Sequence, residues 1–203
     1  MDRSYFYWLC DEHSYSFMAF RTSLMRITKV TTRNGDSGKT NLAKGEQVLK
    51  SDDIIHALGE IDELSSVIGV CISLSNDSDI SNFLMKIQNN LFDIGGHISM
   101  NLNDNSIVNS EMISELESKI NFLNEDLSPL KEFILPSGNH FSSNLHIARA
   151  VSRRAERSAV KLYIDSLANN PVIMYLNRLS DYFFVLSRYY NKQNNIPETT
   201  WKR

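Results

Sequence analysis

The sequence contains little of what disulfide-stabilised, membrane-spanning or nucleic-acid-binding proteins usually need. It has two cysteines, Cys10 and Cys71, which cannot build a disulfide framework and are typical of a reducing compartment. Its formal net charge of -3 indicates no basic surface for nucleic acid or an anionic membrane. Every apolar run is interrupted well short of the roughly 18 residues that a transmembrane helix requires. We therefore expect a cytoplasmic protein that binds neither nucleic acid nor membrane.

The chain length indicates a single domain after an unusual N-terminal segment. A chain of 203 residues can enclose a sizeable core within one domain. Residues 1–25 are aromatic, show no helical or strand period, and fit neither a secretory signal nor a transit peptide. We expect residues 1–25 to be a disordered or peripheral extension and residues 26–203 to form the functional domain.

From residue 52 onward, apolar residues recur every three or four positions, which is the pattern of amphipathic helices. The pattern predicts helices starting near residue 52 and spanning about 78–98, 110–124, 140–168 and 171–192. Gly95 and Gly96 should weaken the end of the second helix, whereas Asn170 and Pro171 suit the start of the last. Because strand signals are almost absent and most links are short, we predict an all-α, up-and-down bundle of five helices.

A polar segment before the helices, TTRNGDSGKTNL (31–42), ends in a Gly-Lys-Thr that is typical of phosphate loops. A Walker A loop needs a glycine five residues before Gly38, but Arg33 occupies that position and no buried strand precedes it. The glycines, hydroxyls and cations nevertheless suit an anion, because phosphates bind backbone N–H groups and Lys or Arg. These residues alone leave a nucleotide loop and an ordinary polar turn as alternatives.

The predicted fourth helix, HFSSNLHIARAVSRRAERSAVKLYIDSL, places a row of charges beside its buried face. Arg149, Arg153 and the pair Glu156 and Arg157 recur at helical spacing, with few acidic partners on the same helix. Either the row is a solvated face, or its arginines bind an outside anion or a partner subunit. The core positions predicted beside it are Leu145, Ala148, Ser152, Ala155, Ala159 and Leu162.

Polar residues also interrupt the apolar faces of two other predicted helices. Asn177 and Asp181 are four residues apart on the last helix, and Glu60, Asp62 and Glu63 lie on the first. Buried polar groups are costly unless they are paired, so we expect these side chains to meet the arginines. Simple salt bridges between helices would produce the same pattern.

The usual signs of covalent or metal catalysis are missing. The five histidines form no metal-binding motif, there is no G-x-S-x-G sequence, and neither cysteine has the cationic neighbours of a nucleophile. A helical bundle with a phosphate-binding loop and arginines therefore suggests a transferase that works by positioning its substrates.

Taken together, three blocks of the sequence resemble the PduO-type ATP:corrinoid adenosyltransferases. The blocks are TTRNGDSGKT with the downstream KSDDIIHALGEIDELSSVIG, then FILPSGNHFSSNLHIARAVSRRAERSAV, and finally YLNRLSDYFFVLSRYYN. The resemblance covers about residues 25–191. It implies transfer of the 5′-deoxyadenosyl group of ATP to the cobalt of cob(I)alamin, which forms adenosylcobalamin and releases triphosphate. It also implies a homotrimer of five-helix bundles with active sites between neighbouring subunits.

The resemblance further implies a role for each matching residue. Lys50 would reach the nucleotide, Arg153, Glu156 and Asn177 would complete the ATP site, and Mg²⁺ would bridge phosphate oxygens without side-chain ligands. Asp62 would pair with Arg149 across the subunit interface. The loop residues that would line the triphosphate are Thr32, Arg33, Asn34, Gly35, Lys39 and Thr40.

The same resemblance places Phe133, in the segment FILP, below the corrin ring of cobalamin bound base-off. There the ring would displace the lower axial ligand, which lowers the energy of the cobalt orbital that accepts an electron and makes reduction to Co(I) feasible. The residues alone favour ordinary core packing for this apolar segment. The implied partners are a reductase for cob(II)alamin and an enzyme that uses adenosylcobalamin.

Three other functions remain as alternatives. A non-catalytic ATP- or corrinoid-binding bundle would be expected to lose loop, arginine or aspartate residues, and none is lost. A P-loop kinase or GTPase is disfavoured by Arg33 and by the missing pattern of a parallel sheet. A purely structural helical oligomer leaves Arg149, Arg153 and the loop without a purpose.

Overall fold

The computed structural model describes residues 31, 33, 35–100 and 107–202. The chain divides into two compact units, Met1–Arg33 and Asn34–Arg203, and all the described helices and strands belong to the second. The predicted N-terminal extension over residues 1–25 lies outside the described residues. The boundary predicted after residue 25 therefore stays a prediction.

Five α-helices form the second unit within the described residues, which confirms the predicted bundle. The central helix α4 packs against both α1 and α5, while α2 covers α1 and α3 covers α5. None of these helices is both long and apolar enough to cross a membrane. The helices are α1 Asp53–Leu74, α2 Ser78–Ser99, α3 Ser110–Glu125, α4 His140–Leu162 and α5 Pro171–Gln193.

The predicted apolar face of α4 forms the middle of the core. Five of its six predicted positions, from Leu145 to Ala159, are buried, and Leu162 is half-buried. The small side chains let α4 approach α1 and α5 closely. Ser152 is buried, and its hydroxyl is paired there, because Oγ donates a hydrogen bond of 2.8 Å to the carbonyl of Leu176 on α5.

Side-chain caps fix where the two central helices begin. The Asn139 side chain accepts a hydrogen bond from the Ser142 amide at the start of α4. The Asn170 side chain accepts from the amides of Val172 and Ile173, with Pro171 in the first position of α5. Such caps satisfy amides that the helix itself leaves unpaired. The predicted starts of both helices are therefore confirmed.

The predicted end of the fourth helix was wrong. Helix α4 stops at Leu162, six residues before the predicted end, and a 3₁₀ turn over Ile164–Ser166 follows. Ile164 and Leu167 are exposed, so no core contact favours a longer helix there. Helix α2 ends at Ser99, within one residue of its predicted end, and stays helical through Gly95 and Gly96. A Cβ at Gly95 would lie 3.8 Å from the Leu58 side chain, so this glycine lies where α2 approaches α1 closely.

The chain between residues 39 and 49, where no strand was expected, forms a small β-hairpin. Strand β1 (Lys39–Asn41) pairs antiparallel with β2 (Gln47–Leu49), with Thr40 opposite Val48. Gly45 between the strands has a φ of +85°, which favours glycine. Strands of three residues are too short to show a period of two along the sequence, so the expectation of no strands missed them.

The link into α4 depends on Gly138. Its φ is +133°, and a Cβ at this position would lie 2.1 Å from Ser142 Oγ and 2.5 Å from Asn191 Oδ1. The chain therefore passes between α4 and α5 where only a glycine fits. Ser137, the residue before Gly138, donates from its Oγ to the carbonyl of Leu135 at 3.1 Å.

We expect Gly138→Ala to lower the free energy of unfolding by about 2 kcal/mol or more, because it combines backbone strain with steric overlap. The measurement is urea unfolding followed by circular dichroism. Gly59→Ala is the matched control, since Gly59 lies within α1 with no atom close to an added Cβ. Equal stability of Gly138→Ala and the wild type would contradict the described geometry.

Candidate active site

A cavity of about 410 Å³ lies between α4, α5 and the segment that joins α3 to α4. One side of it is apolar, whereas the other presents two arginines and a carboxylate, so it suits a ligand with both apolar and anionic parts. The residues that line it are Leu130, Phe133, Ile134, Pro136, His146, Arg149, Arg153, Ser180, Asp181 and Phe184.

Two arginines in this cavity lack a carboxylate partner. Arg149 and Arg153 are one turn apart on α4, and neither forms an ion pair with another described residue. The Nε atom of Arg149 is buried without a hydrogen-bond acceptor. Burial, together with the nearby charge of Arg153, lowers the pKa of Arg149. An anion between the two guanidinium groups would supply the missing hydrogen-bond acceptor and offset the repulsion between the two positive charges.

His146 lies one turn before Arg149 and is buried against α5. The hydroxyl of Ser187 donates to the Phe184 carbonyl at 2.7 Å, so its oxygen accepts from His146 Nε2 at 3.4 Å. Burial and the charge of Arg149 lower the pKa of His146, although Glu198 opposes them. A neutral histidine therefore forms part of the cavity wall. The sequence analysis missed it, because a single histidine forms no motif.

Phe133 presents its ring to the cavity instead of packing in the core. Its side chain is 79% exposed, which contradicts the alternative of a core residue. Its backbone, however, is held by the C-terminal segment: Trp201 N–H donates to the Phe133 carbonyl, and Leu135 N–H donates to the Thr199 carbonyl, both at 2.7 Å. An exposed ring on a tethered backbone is suited to contact a ligand.

An ion pair with one buried partner, Arg188, connects this region to α5. Arg188 is buried, and its Nε lies 2.6 Å from Glu198 Oε1 in the C-terminal segment. The same guanidinium donates from Nη2 to the Ser128 carbonyl at 2.9 Å, shortly before Phe133. Arg188 therefore fixes the two chain segments that meet at Phe133.

Beyond the cavity, α4 and α5 are joined by a polar pair. Asn177 Nδ2 donates to Glu156 Oε1 at 2.9 Å. Asp181, one turn after Asn177, accepts from Arg178 at 2.9 Å. The prediction that Asn177 and Asp181 meet the arginines of α4 was therefore wrong, because both side chains accept from Arg178 of their own helix and Asn177 reaches α4 through a glutamate.

The acidic residues of α1 divide into two groups. Glu63 bonds to Arg154 of α4, and Glu60 Oε1 lies 3.8 Å from the same guanidinium, so these acids form the alternative, a salt bridge between helices, with an arginine outside the predicted row. Asp62 is exposed and forms no ion pair with a described residue. It lines a different cavity, of about 280 Å³, between α1 and α2. Asp62 and Arg149 thus lie at different surfaces of the chain.

The phosphate-loop candidates are described in part. Thr32 and Asn34 lie outside the described residues, and Arg33, in the first unit, is exposed with a φ of +61°. In the second unit, Lys50 folds over Gly35, because its Nζ would lie 2.7 Å from a Cβ at Gly35. The Lys50 amide also donates to the Gly38 carbonyl at 2.9 Å.

The hairpin places the remaining loop residues on β1. Lys39 is exposed opposite Leu49, and Thr40 is half-buried opposite Val48. The described loop residues do not line the cavity that contains Arg149 and Arg153. The structure therefore presents two separate cationic regions, one on the loop and one on α4.

Comparisons with known proteins identify the family of this chain. A family model described as cobalamin adenosyltransferase matches residues 30–190. The chain is 37% identical over 179 residues to a cobalamin adenosyltransferase of Cupriavidus metallidurans, with 88% of this chain and 96% of the relative covered. It is 40% identical over 185 residues to a corrinoid adenosyltransferase of Mycobacterium leprae, with 85% and 96% covered.

The chain belongs to the cobalamin adenosyltransferase family. The fold agrees, because a solved variant of the PduO-type ATP:corrinoid adenosyltransferase from Lactobacillus reuteri superposes with a TM-score of 0.78 at 36% identity. That alignment covers 86% of this chain and 100% of the other. The structure of the L. reuteri protein contains cobalamin and ATP. The family resemblance of the three sequence blocks is thereby confirmed.

The contact between Gly35 and Lys50 in this adenosyltransferase yields a test that needs only inorganic triphosphate. Gly35→Ala should weaken triphosphate binding about tenfold, since a Cβ would displace the ammonium group of Lys50 from the loop. Isothermal titration calorimetry measures the dissociation constant. Gly59→Ala adds the same methyl group in open space on α1 and should leave binding unchanged. Unchanged binding by Gly35→Ala would show that Lys50 does not act from this position.

Proposed function

We propose that the cavity beside Phe133 and the loop around Gly35, taken from neighbouring copies of the chain, form one active site. The protein is an ATP:corrinoid adenosyltransferase, which transfers the adenosyl group of ATP to cob(I)alamin. The observation that supports this site best is the pair of guanidinium groups, Arg149 and Arg153, that face a cavity with an exposed phenylalanine. The cavity offers anion binding and an apolar surface within one space.

The chemistry explains why the site needs no protein nucleophile. The electron pair of Co(I) attacks the ribose C5′ of ATP, a Co–C bond forms, and the C5′–O bond breaks. The triphosphate leaves with the electron pair of that bond. The protein must therefore align cobalt with C5′ and stabilise the charge that develops on the leaving group.

The cationic groups of the chain would stabilise the triphosphate. Arg153 projects into the cavity without a carboxylate partner, so its charge is available to a phosphate. Glu156 and Asn177, held together at 2.9 Å, would bind the nucleotide beside it. The loop residues that we assign to the triphosphate are Thr32, Arg33, Asn34, Gly35, Lys39, Thr40 and Lys50.

Mg²⁺ would accompany ATP as a bridge between phosphate oxygens. Mg²⁺ prefers six oxygen ligands and commonly keeps several waters. The described residues include no group of three or more His, Cys, Asp or Glu side chains that could hold a metal ion. A metal that takes most of its ligands from phosphate and water fits this set of side chains.

Phe133 would lie below the corrin ring of cobalamin bound base-off. Its ring is exposed and its backbone is tethered by the C-terminal segment, so it can occupy the place of the lower axial ligand without refolding. Loss of that ligand lowers the energy of the cobalt orbital that accepts an electron. Reduction of cob(II)alamin, supplied by a separate reductase, then becomes feasible.

Two surfaces of the chain support a homotrimer with sites between subunits. Asp62 lies at the groove between α1 and α2, beside Phe92, whose side chain is 83% exposed. Arg149 lies at the other cavity with a buried, unpaired Nε. Complementary charges on different surfaces favour a head-to-tail contact, and a head-to-tail contact with a rotation of one third of a turn closes into a trimeric ring. Asp62 of one copy would then pair with Arg149 of the next.

The cellular setting follows from the reaction. Cob(I)alamin is a strong reductant, so the enzyme would act in the cytoplasm beside the reductase that supplies its electrons. Its product would pass to an enzyme that uses adenosylcobalamin. Neither nucleic acid nor membrane has a part in this scheme.

The assignment of the ATP site is tested by three substitutions and one control. We expect Arg153→Ala, Glu156→Ala and Asn177→Ala each to lower kcat/KM for ATP about 10- to 100-fold, because each removes a polar contact to the nucleotide. Arg154→Ala is the control, since Arg154 turns toward Glu60 and Glu63 of α1. Equal kinetics for Arg153→Ala and Arg154→Ala would show that the other face of α4 binds ATP.

The role of Phe133 is tested by two assays on one variant. Phe133→Ala should barely change the urea midpoint, because an exposed side chain makes no core contact, whereas a core phenylalanine costs about 3–5 kcal/mol. The variant should still adenosylate cob(I)alamin that is supplied already reduced. It should fail when the reaction starts from cob(II)alamin with a mild reductant. Equal loss in both assays would contradict a role in removing the axial ligand.

The interface is tested by a charge exchange. Asp62→Asn should reduce both trimer formation and activity, because breaking a desolvated pair costs about 3–5 kcal/mol when fully buried and less at an edge. Sedimentation velocity and initial rates measure the two effects. The double substitution Asp62→Arg with Arg149→Asp should recover part of both. A fully active trimer of Asp62→Asn would exclude this contact.

A further inference from the structure

A chain of four polar side chains crosses the bundle from α3 to α4. Glu117 Oε1 on α3 accepts from Arg178 Nε on α5 at 3.0 Å, and Arg178 Nη1 donates to Asn177 Oδ1 at 3.0 Å. Asn177 Nδ2 in turn donates to Glu156 Oε1 on α4 at 2.9 Å. Three helices thus meet through one arginine and one asparagine.

These bonds fix the orientation of the Asn177 amide. Its oxygen accepts from Arg178 and its nitrogen donates to Glu156, so a flipped amide would face each neighbour with the wrong group. A carboxamide has four hydrogen-bonding sites, of which these contacts use two. One N–H and one lone pair of Asn177 stay available for a ligand in a defined direction.

Arg178 is itself held on both sides. Glu117 accepts from its Nε, and Asp181, three residues later on α5, accepts from its Nη1 at 2.9 Å. The guanidinium is planar and presents its donors in fixed directions, so two anchors set where Nη1 points. A lysine keeps the positive charge, but its single ammonium group on a flexible stem reproduces this geometry only in part.

We propose that Arg178 is a positioning residue for ATP: it does not touch the nucleotide but holds the Asn177 amide in the orientation that binds it. The inference rests on the assignment of Asn177 to the ATP site in the proposed function. It adds a residue of α5 and its anchor on α3 to the groups that determine nucleotide affinity.

A purely structural role for Arg178, as a tie between α3 and α5, predicts a different result. Loss of the link between α3 and α5 would lower the free energy of unfolding and would weaken ATP binding and corrinoid binding alike. A lost positioning residue weakens ATP binding selectively, and only when Asn177 is present. Affinity for each substrate, measured beside the unfolding midpoint, therefore separates the two roles.

The experiment compares Arg178→Gln, Arg178→Lys, Asn177→Ala and the double variant Arg178→Gln with Asn177→Ala. Arg154→Gln is the matched control, since it removes an arginine of α4 that is ion-paired to acids of α1. Calorimetry gives the dissociation constant for MgATP, difference spectroscopy gives that for cob(II)alamin, and urea unfolding gives stability.

We expect Arg178→Gln to weaken ATP binding about three- to tenfold, a typical coupling between hydrogen-bonded neighbours, and to leave corrinoid binding unchanged. Arg178→Lys should recover part of the loss, and Arg154→Gln should bind ATP like the wild type. In the Asn177→Ala background, Arg178→Gln should cause no further loss, because the group that it positions is gone.

Several results would overturn the inference. If Asn177→Ala weakens ATP binding but Arg178→Gln does not, the positioning role is wrong and the proposed ATP site stands. If Asn177→Ala binds ATP normally, the assignment of Asn177 to the ATP site is wrong, and the positioning role of Arg178 is wrong as well. Full additivity in the double variant, or an equal loss of ATP affinity and corrinoid affinity, would show that Arg178 acts independently of Asn177.

Discussion

The close packing of α4 against α1 and α5 is the constraint on which the site depends. Small buried residues, such as Ala148, Ser152 and Ala155, bring the three helices together. The helical period then places Arg149, Arg153 and Glu156 on the neighbouring stripe of α4, each one position after a buried residue. Because the buried face fixes the rotation of α4, it also determines which side chains of α4 face the cavity and which face Asn177.

The two cationic regions assigned to the proposed site lie apart within one chain. The cavity with the two arginines and the loop with Lys50 form separate regions of the same subunit. Asp62 and Arg149 are likewise unpaired at different surfaces. An oligomer that joins unlike surfaces would satisfy both needs together, because one contact could pair the charges and bring a loop to a neighbouring cavity. Assembly and catalysis would then depend on the same residues.

The sequence predicted those features that depend on local periodicity. The helices, the start of α5 at Asn170 and the buried face of α4 follow from spacing and one cap residue, and the family resemblance supplied the reaction. The end of α4 was missed because residues 163–168 keep a helical composition but lose the core that would stabilise a helix. For Phe133, the apolar neighbours alone favoured core packing, and only the family resemblance placed its ring at a ligand, in agreement with its exposure.

The hydrogen-bonded pairs could not be predicted, because they join residues far apart in the chain. The contact of Asn177 with Glu156 spans 21 positions, and that of Arg178 with Glu117 spans 61. Each depends on the relative rotation of two helices, which spacing within one helix does not determine. The contact of His146 with Ser187 likewise joins two helices and spans 41 positions.

The most direct measurement is an anaerobic assay of the wild-type chain with chemically reduced cob(I)alamin and MgATP. The account predicts that the absorption spectrum of adenosylcobalamin appears, with one triphosphate released for each Co–C bond formed. Binding of ATP and cobalamin without adenosylcobalamin formation would instead identify a non-catalytic binding protein and contradict the proposed site.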